Sequence, residues 1–299
     1  MTAGRYAAAA LALVALTRAR PAGACAACAC GDSTLTTVGV EKPYRNRIRF
    51  GLEERLATLS TGDGVMNEQS TVLRSSLSAA WSPHARLQLM AMLPWFDSWI
   101  HSATGGAQQL NGLGDLEGAA RVLLFRERRF APQHLLWATA GVKMPTGPRL
   151  RDGAGYPYAD DDQPGSGSWD PFGGVSYGWF GGLTSIFAAT NYRYTTTGPR
   201  GHRFGSTLTS SATLQLQPYP WGALQLGADV RWSQPDSLPN GADAPNTGGT
   251  VLYASPALLA SPWMNVLIRI GAQIPAVQRL NGVQSEGAKV MLSLAYDLR

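Results

Sequence analysis

From about Arg45 to the end, the chain alternates apolar and polar residues in one short run after another. The connections between the runs alternate too, long and then short. In the run from Leu224 to Trp232, Leu224, Leu226, Ala228, Val230 and Trp232 share one face, with Gln225, Asp229, Arg231 and Ser233 opposite. From Val266 to Ile274, Val266, Ile268, Ile270, Ala272 and Ile274 oppose Asn265, Arg269 and Gln273. Period two held over such a length is strand and not helix. An apolar face towards lipid, a wetter face towards a lumen, and brief turns opposite long loops are what a transmembrane antiparallel β-barrel requires.

Taken as strands, the runs number about twelve: 45–59, 70–82, 85–97, 113–125, 134–145, 170–179, 183–194, 204–217, 223–234, 249–261, 264–275 and 287–298. An even number puts both ends of a bacterial barrel on the periplasmic side. The connections after even strands are short: Ser82-Pro83-His84, Gly181-Gly182, Pro218 to Gly222 and Ser261-Pro262-Trp263, with Arg126 to Gln133 somewhat longer. Those after odd strands are long and rich in Gly, Pro, Asp and Asn: Ser98 to Gly112, Thr146 to Trp169, Gln234 to Gly248 and Ala276 to Glu286.

The aromatic residues fall into two bands under this topology. Trp81, Trp137, Trp179, Phe180, Tyr219, Trp221, Trp263 and Tyr296 lie towards the periplasmic rim, and Trp95, Phe96, Trp99, Trp169, Tyr192, Tyr194, Trp232 and Tyr253 towards the outer rim. Such girdles form because the ring is apolar while its N–H or O–H prefers water. Two places fit poorly. Glu54 follows Ile48, Phe50 and Leu52 on one face, so a bulge near Gly51 or a position near the rim is expected. The Gly-rich run 170–179 alternates badly.

Charged residues make up 15% of the 299, low beside the ~25% of soluble domains. No stretch approaches the ~20 apolar residues of a spanning helix, so strands must do any crossing. Residues 1–24 read as a signal peptide, with Arg5, an apolar run from Ala7 to Thr17, and Ala22-Gly23-Ala24 as cleavage site. Its removal takes Arg5, Arg18 and Arg20 and no acids, lowering the net charge from +5 to +2. No nucleic-acid role is supported. Residues 25–44 form a cysteine-containing periplasmic segment, and 45–299 the barrel.

The polar faces offer Arg47, Arg49, Glu53, Arg55, Glu117, Arg121, Lys143, Asp229, Arg231, Arg269, Lys289 and Asp297. Of these, Arg49, Glu117, Arg121, Lys143, Asp229, Arg231, Arg269 and Lys289 are taken as lumen-lining. They either pair across the wall or form a path, basic on balance, for small anionic or neutral solutes. Whether 33–44 plugs the lumen stays open.

Other chemistry has little to work with. His101 beside Ser98 and Ser102 is the one nucleophile–base arrangement to name, and no G-x-S-x-G, H-E-x-x-H or repeated C-x-x-C occurs. Asp160-Asp161-Asp162, with Asp152 and Asp170, offers oxygens that suit calcium, but lacks the ligand spacing of a calcium loop and reads better as a solvated acidic loop. Cys25, Cys28 and Cys30 admit a lipid anchor, a local disulfide or soft-metal site, or no special role. The last is favoured, because no Leu opens a lipobox and the spacing is too tight for three thiolates to close a tetrahedral site. No cofactor and no metal is expected.

Several segments resemble the outer-membrane barrels of the phenol meta-pathway type, often labelled simply "transporter". They are Gly112-Leu113-Gly114-Asp115-Leu116, Val142-Lys143-Met144-Pro145-Thr146-Gly147, Asn246-Thr247-Gly248-Gly249, and the final hairpin with Ile274-Pro275 and Asn281-Gly282. Where many such barrels finish on an aromatic residue, this chain finishes Tyr296-Asp297-Leu298-Arg299. The resemblance implies a bacterial outer-membrane location, with lipid and small solutes as partners. The expected function is a passive channel for small organic solutes, aromatic or anionic ones among them. A structural or complex-partner barrel with an occluded lumen is the first rival, and a membrane-embedded hydrolase the second.

Overall fold

The computed structural model describes residues 45–64, 67–102, 106–129 and 131–298. The signal segment, the three cysteines and residues 33–44 lie outside the described residues. Fourteen strands follow in chain order: β1 (Arg47–Thr61), β2 (Glu68–His84), β3 (Leu87–Ser102), β4 (Gly106–Leu113), β5 (Leu116–Arg126), β6 (His134–Met144), β7 (Asp170–Gly181), β8 (Thr184–Arg193), β9 (Thr207–Tyr219), β10 (Gly222–Ser233), β11 (Gly249–Trp263), β12 (Val266–Leu280), β13 (Gln284–Glu286) and β14 (Lys289–Leu298). β4 and β5 both pair with β3 as one interrupted stave, and β13 and β14 both pair with β1 as another. The wall therefore has twelve staves. It closes because β1 pairs with β14, from Ile48↔Leu298 to Leu56↔Val290, and with β2, from Arg47↔Ser82 to Thr61↔Glu68. Among the described residues no helix is long and apolar enough to cross a membrane.

The outward face is apolar around the circumference. Leu77 on β2, Val122 on β5, Ile186 on β8, Leu214 on β9, Leu226 on β10, Leu258 on β11, Ile270 on β12 and Leu292 on β14 are all exposed. A continuous belt of this kind far exceeds the few hundred Å² of apolar patch that a water-soluble monomer shows, and it is the lipid-contacting surface of an outer-membrane barrel.

Several expectations need correction. Residues 98–112 are not a loose loop: Ser98–Ser102 pairs with Gly106–Leu110, lengthening that hairpin. Likewise β12 continues to Leu280 and β13 returns at Gln284. Ser82-Pro83 and Ser261-Pro262 are not turns. The register slips between Trp81 and His84 and between Ala260 and Trp263, so each Ser-Pro pair faces a single residue of the next strand as a bulge, and the chain turns just beyond it. Pro218 stands at a third slip, on β9. Proline has no N–H to give a ladder, and a bulge does not ask for one.

Four aromatics placed in the rim bands turn inward: Phe96, Trp137, Phe180 and Tyr253, of which Trp137 is 4% and Tyr253 2% exposed. From Leu135 to Ala138 both faces of β6 are apolar, so hydrophobicity alone does not fix the parity of that stretch. Trp81, Trp95, Trp169, Tyr192, Tyr194, Tyr219, Trp221, Trp232, Trp263 and Tyr296 are exposed, as girdle residues should be.

Glu54 has no bulge beside it, and it lies midway along β1. It faces outward with Phe50 and Leu52, and the Ser75 hydroxyl of β2 donates to its carboxylate at 2.6 Å. The Gly-rich run forms a regular strand, β7, paired on both sides. It alternates poorly because the neighbouring stave crowds it: a Cβ on Gly174 would come within 2.2 Å of the Thr190 carbonyl oxygen.

Candidate functional site: the barrel interior

The inward faces hold an outer cavity, a set of charges and several apolar clusters. At the outer end lies a cavity of about 740 Å³. Its walls include Leu59, Val72, Ile100 and Phe204, and Asp161 and Asp162 reach it from the long connection after β6. That connection is held down from both ends. Asp160 pairs with Arg149 at 2.9 Å and lies 3.8 Å from Arg200, and Gln163 bonds the backbone of Leu150 in both directions. Burial, then Asp161 and then Glu68, push the Asp162 carboxyl up to about 6. Burial also raises Asp236, against the N–H that Gly205 donates to it. Of the five acids weighed for calcium, Asp160 and Asp170 are thus taken by cations, and Asp152 accepts the backbone N–H groups of Ala154 and Tyr156.

The inward charges run from Glu117 and Lys143 towards the outer end to Arg49 and Arg269 towards the periplasmic end, and each side chain expected to line the lumen has a partner. Arg49, like Arg47, meets Asp297, at 2.7 Å. Glu117 pairs with Arg193 at 2.9 Å. Arg121 donates to Ser176 at 2.6 Å and lies 4.9 Å above the Trp137 ring. Lys143 pairs with Asp170 and Asp115. Asp229 accepts from Ser255 and, at 2.8 Å, from Gln273. Arg231 and Lys289 share Glu286, which Tyr253 also contacts. Arg269 donates to Gln225 at 3.2 Å. Glu53 holds Arg55 and Ser293. Buried charges in a low dielectric are retained only when matched in this way. Arg49, Glu117, Lys143, Arg231 and Lys289 meet opposite charges, while Arg121, Asp229 and Arg269 meet neutral hydrogen-bonding groups.

Sequence reasoning missed Asp115, Asp170, Arg193 and Glu286. The signal for Asp115 was present, since it stands in one of the segments that carry the family resemblance. Asp115 accepts the N–H groups of Gly147 and Ser166 at 3.0 and 2.8 Å, and Thr146 Oγ1 accepts the N–H of Leu116. The first two resembling segments thus tie the long outer connection into the wall. Gly165 must be glycine there, because a Cβ would lie 2.5 Å from the Asp115 carboxylate. The other two segments act likewise. Asn246 Oδ1 accepts the N–H of Val283, and Asn281 Nδ2 donates to the Thr247 carbonyl, which joins the last two outer connections.

Towards the periplasmic end apolar clusters alternate with polar groups such as Arg49, Asp297, Gln215, Gln225 and Arg269. Leu123, Leu135, Trp137, Phe180 and Phe187, from β5 to β8, form one cluster; Ala223, Leu259, Leu267 and Ala295 form another, and Ala80 and Met90 a third. His101 is exposed, and Ser98 and Ser102 occupy the opposite parity of β3, so the nucleophile–base arrangement does not assemble. His84 and His134 lie at the periplasmic end, where His134 Nδ1 is 2.6 Å from Tyr177 Oη, and His202 lies 3.8 Å from Asp236 at the outer end. Among the described residues no group of three or more His, Cys, Asp or Glu is placed to hold a metal ion.

No family model and no curated protein matches the sequence. Solved structures do match in shape. The COG4313 outer membrane channel from Pseudomonas putida F1 superimposes with a TM-score of 0.64 at 14% identity, over 87% of this chain and 98% of that one. The likeness shows the fold. The translocator domain of the autotransporter NalP from Neisseria meningitidis gives 0.48 at 12%, over 85% and 89% of the two chains. The P. putida toluene transporter TodX gives 0.46 at 10%, over 85% and 90%.

Proposed function

We propose that this chain is a passive outer-membrane channel for small organic solutes, of the phenol meta-pathway type that its segments resemble. The observation that carries the reading is the outer cavity of about 740 Å³, enclosed by a lipid-facing barrel and floored by inward charges. That volume suits a molecule of a few hundred daltons at most. Arg49, Glu117, Arg121, Lys143, Asp229, Arg231, Arg269 and Lys289 line the proposed path, with the carboxylates of Asp161 and Asp162 at its mouth. Likeness in fold to a barrel described as an outer membrane channel supports the reading. No catalytic step is assigned to any residue.

The rival of an occluded barrel draws on the periplasmic clusters, whose side chains are nearly solvent-free. Proteoliposome swelling separates the two. Faster entry of small neutral organic solutes than into protein-free vesicles is the expected result, and equal rates overturn the channel.

A further inference from the structure

We infer that Arg74 and Arg55, at the floor of the outer cavity, form a binding site for the carboxylate of a small monoanionic solute. The inference rests on the channel reading and names its solute class. The two residues oppose each other in register across β1 and β2, on the inward face of the wall. Arg74 stands one inward position below Val72, which lines the cavity. Phe96, its register partner on β3, stands one inward position below Ser98, which also lines it. Like charges directly opposed on a sheet destabilise it, so the wall gains nothing from this pair. Local rules are broken in this way at functional sites.

The two arginines differ in what they meet. Arg55 pairs with Glu53 at 3.2 Å. Arg74 has no carboxylate within ion-pair distance among the described residues. Its Nη2 donates to Met92 Sδ, a weak acceptor 3.9 Å away, and its guanidinium lies 5.5 Å from the Phe96 ring centroid. Its Nε is buried without a hydrogen-bond partner. Arg74 is half-buried and points inward, so the part left exposed faces the lumen. A guanidinium presents its N–H donors as a planar fork that matches a carboxylate.

Charge selects the solute further. The groups that act most strongly on Arg74 are Arg55, Glu117, Arg193 and Glu53. Arg193 holds Glu117 at 2.9 Å, and Arg55 and Ser293 hold Glu53. Three cations thus face two carboxylates that are already taken. The one positive charge left over is neutralised by a monoanion and overcompensated by a dianion. Asp161 and Asp162 also reach the cavity and oppose an anion at the mouth, which confines the attraction to the floor. A single fork holds a carboxylate well enough to admit it and weakly enough to release it.

The test uses the mature full-length protein, with heat-modifiable migration confirming a folded barrel for every variant. Saturation-transfer NMR reads butyrate binding, with uncharged butyramide and inorganic phosphate as competitors. Butyrate should bind, butyramide should not displace it, and phosphate should displace it poorly. Arg74→Gln should weaken butyrate binding about tenfold, since a charge-assisted fork is lost. Its stability in urea should hold or rise, because the lost charge had no carboxylate in the wall. Arg74→Lys keeps the charge without the fork and should fall between, and it serves if the glutamine variant does not fold. Arg86→Gln, in an exposed periplasmic turn, changes the net charge alike and should bind as wild type does. Unaltered binding in both Arg74 variants, or an equal loss in Arg86→Gln, overturns the site. Phosphate competing as well as butyrate overturns the monocarboxylate class. Proteoliposome swelling separates site from channel. Entry of butyramide beside butyrate binding that ignores Arg74 sinks the site alone, whereas Arg74-dependent binding with no entry of either solute sinks the channel alone.

Discussion

The Asp115 carboxylate lies 3.6 Å from the Lys143 ammonium, and between them these two residues anchor an outer connection that neither belongs to. Asp115 takes the N–H groups of Gly147 and Ser166, one near each end of that connection, while Lys143 reaches Asp170 where β7 begins. The connection is thus fixed where it leaves the wall and where it returns, and its middle is placed over the mouth.

Breaking this anchor should free the connection without unfolding the barrel. Asp170→Ala leaves Lys143 with a weakened set of partners in a buried setting, a loss of roughly 3–5 kcal/mol by analogy with other severed buried pairs. Gly165→Ala drives a methyl into Asp115. Limited proteolysis on folded, heat-modifiable protein should show faster cleavage between residues 148 and 165 in both variants. An unchanged cleavage rate would mean that the anchor carries no restraint.

The Glu54–Ser75 pair faces lipid, so its two halves are expected to behave differently alone and together. Ser75→Ala leaves the carboxylate without its donor and should lower barrel stability by about 1–3 kcal/mol. Glu54→Leu with Ser75→Ala removes both polar groups and should restore or exceed wild-type stability. For contrast, Ile270→Arg puts a charge on the exposed apolar face of β12 and should cost roughly 2–4 kcal/mol near the midplane. Urea unfolding in detergent or lipid, followed by gel migration, measures all of these. A double variant weaker than Ser75→Ala would show that Glu54 stabilises the barrel in some other way.

The positions of the turns allow the orientation of the barrel to be tested. Cysteines introduced at Ala159 or Asn240, both exposed at the outer end, should react with a membrane-impermeant thiol reagent on whole cells. Cysteines at Arg86 or Met264, in turns beyond the Ser-Pro bulges, should react only after the outer membrane is opened. Equal labelling of both sets in intact cells would invert or abolish the orientation.

The mouth should respond to mild acid. The Asp162 carboxyl is raised to about 6 by burial and by Asp161 and Glu68, with Asp236 also influenced by Asp161. A carboxyl raised in the packed state binds its proton there more readily than in an open state. Packing of the connection is therefore strengthened as pH falls from above 6 towards the ordinary carboxylate range, and is weakest above 6. Amide exchange of residues 150–165, corrected for intrinsic rate, should slow between pH 7.5 and 5. Asp162→Asn should flatten that dependence, and a dependence unchanged in this variant would assign it elsewhere.

The architecture was legible wherever one face of a strand was apolar and the other was not. β10 and β12 announce themselves through Leu224 to Trp232 and Val266 to Ile274, and the inward positions of Asp229, Arg231 and Arg269 follow from the same alternation. On β6, Leu135, Leu136, Trp137 and Ala138 are apolar in succession, and parity there had to come from pairing with β5 and β7. Alternation alone therefore leaves Trp137 in the girdle, whereas the pairing turns it inward.

Local pattern, then, determined the strands, their even number and the lipid-facing belt, because period-two alternation and turn chemistry act between near neighbours. Only the tertiary structure decided what fills the barrel. Asp115 finds Ser166 fifty-one positions away, Glu117 finds Arg193 across seventy-six, and Glu53 finds Ser293 across two hundred and forty. Such partners are fixed by the closing of the wall, which sets β1 beside β14 and brings β5 within reach of β8, and no spacing along the chain encodes which inward side chains will then meet.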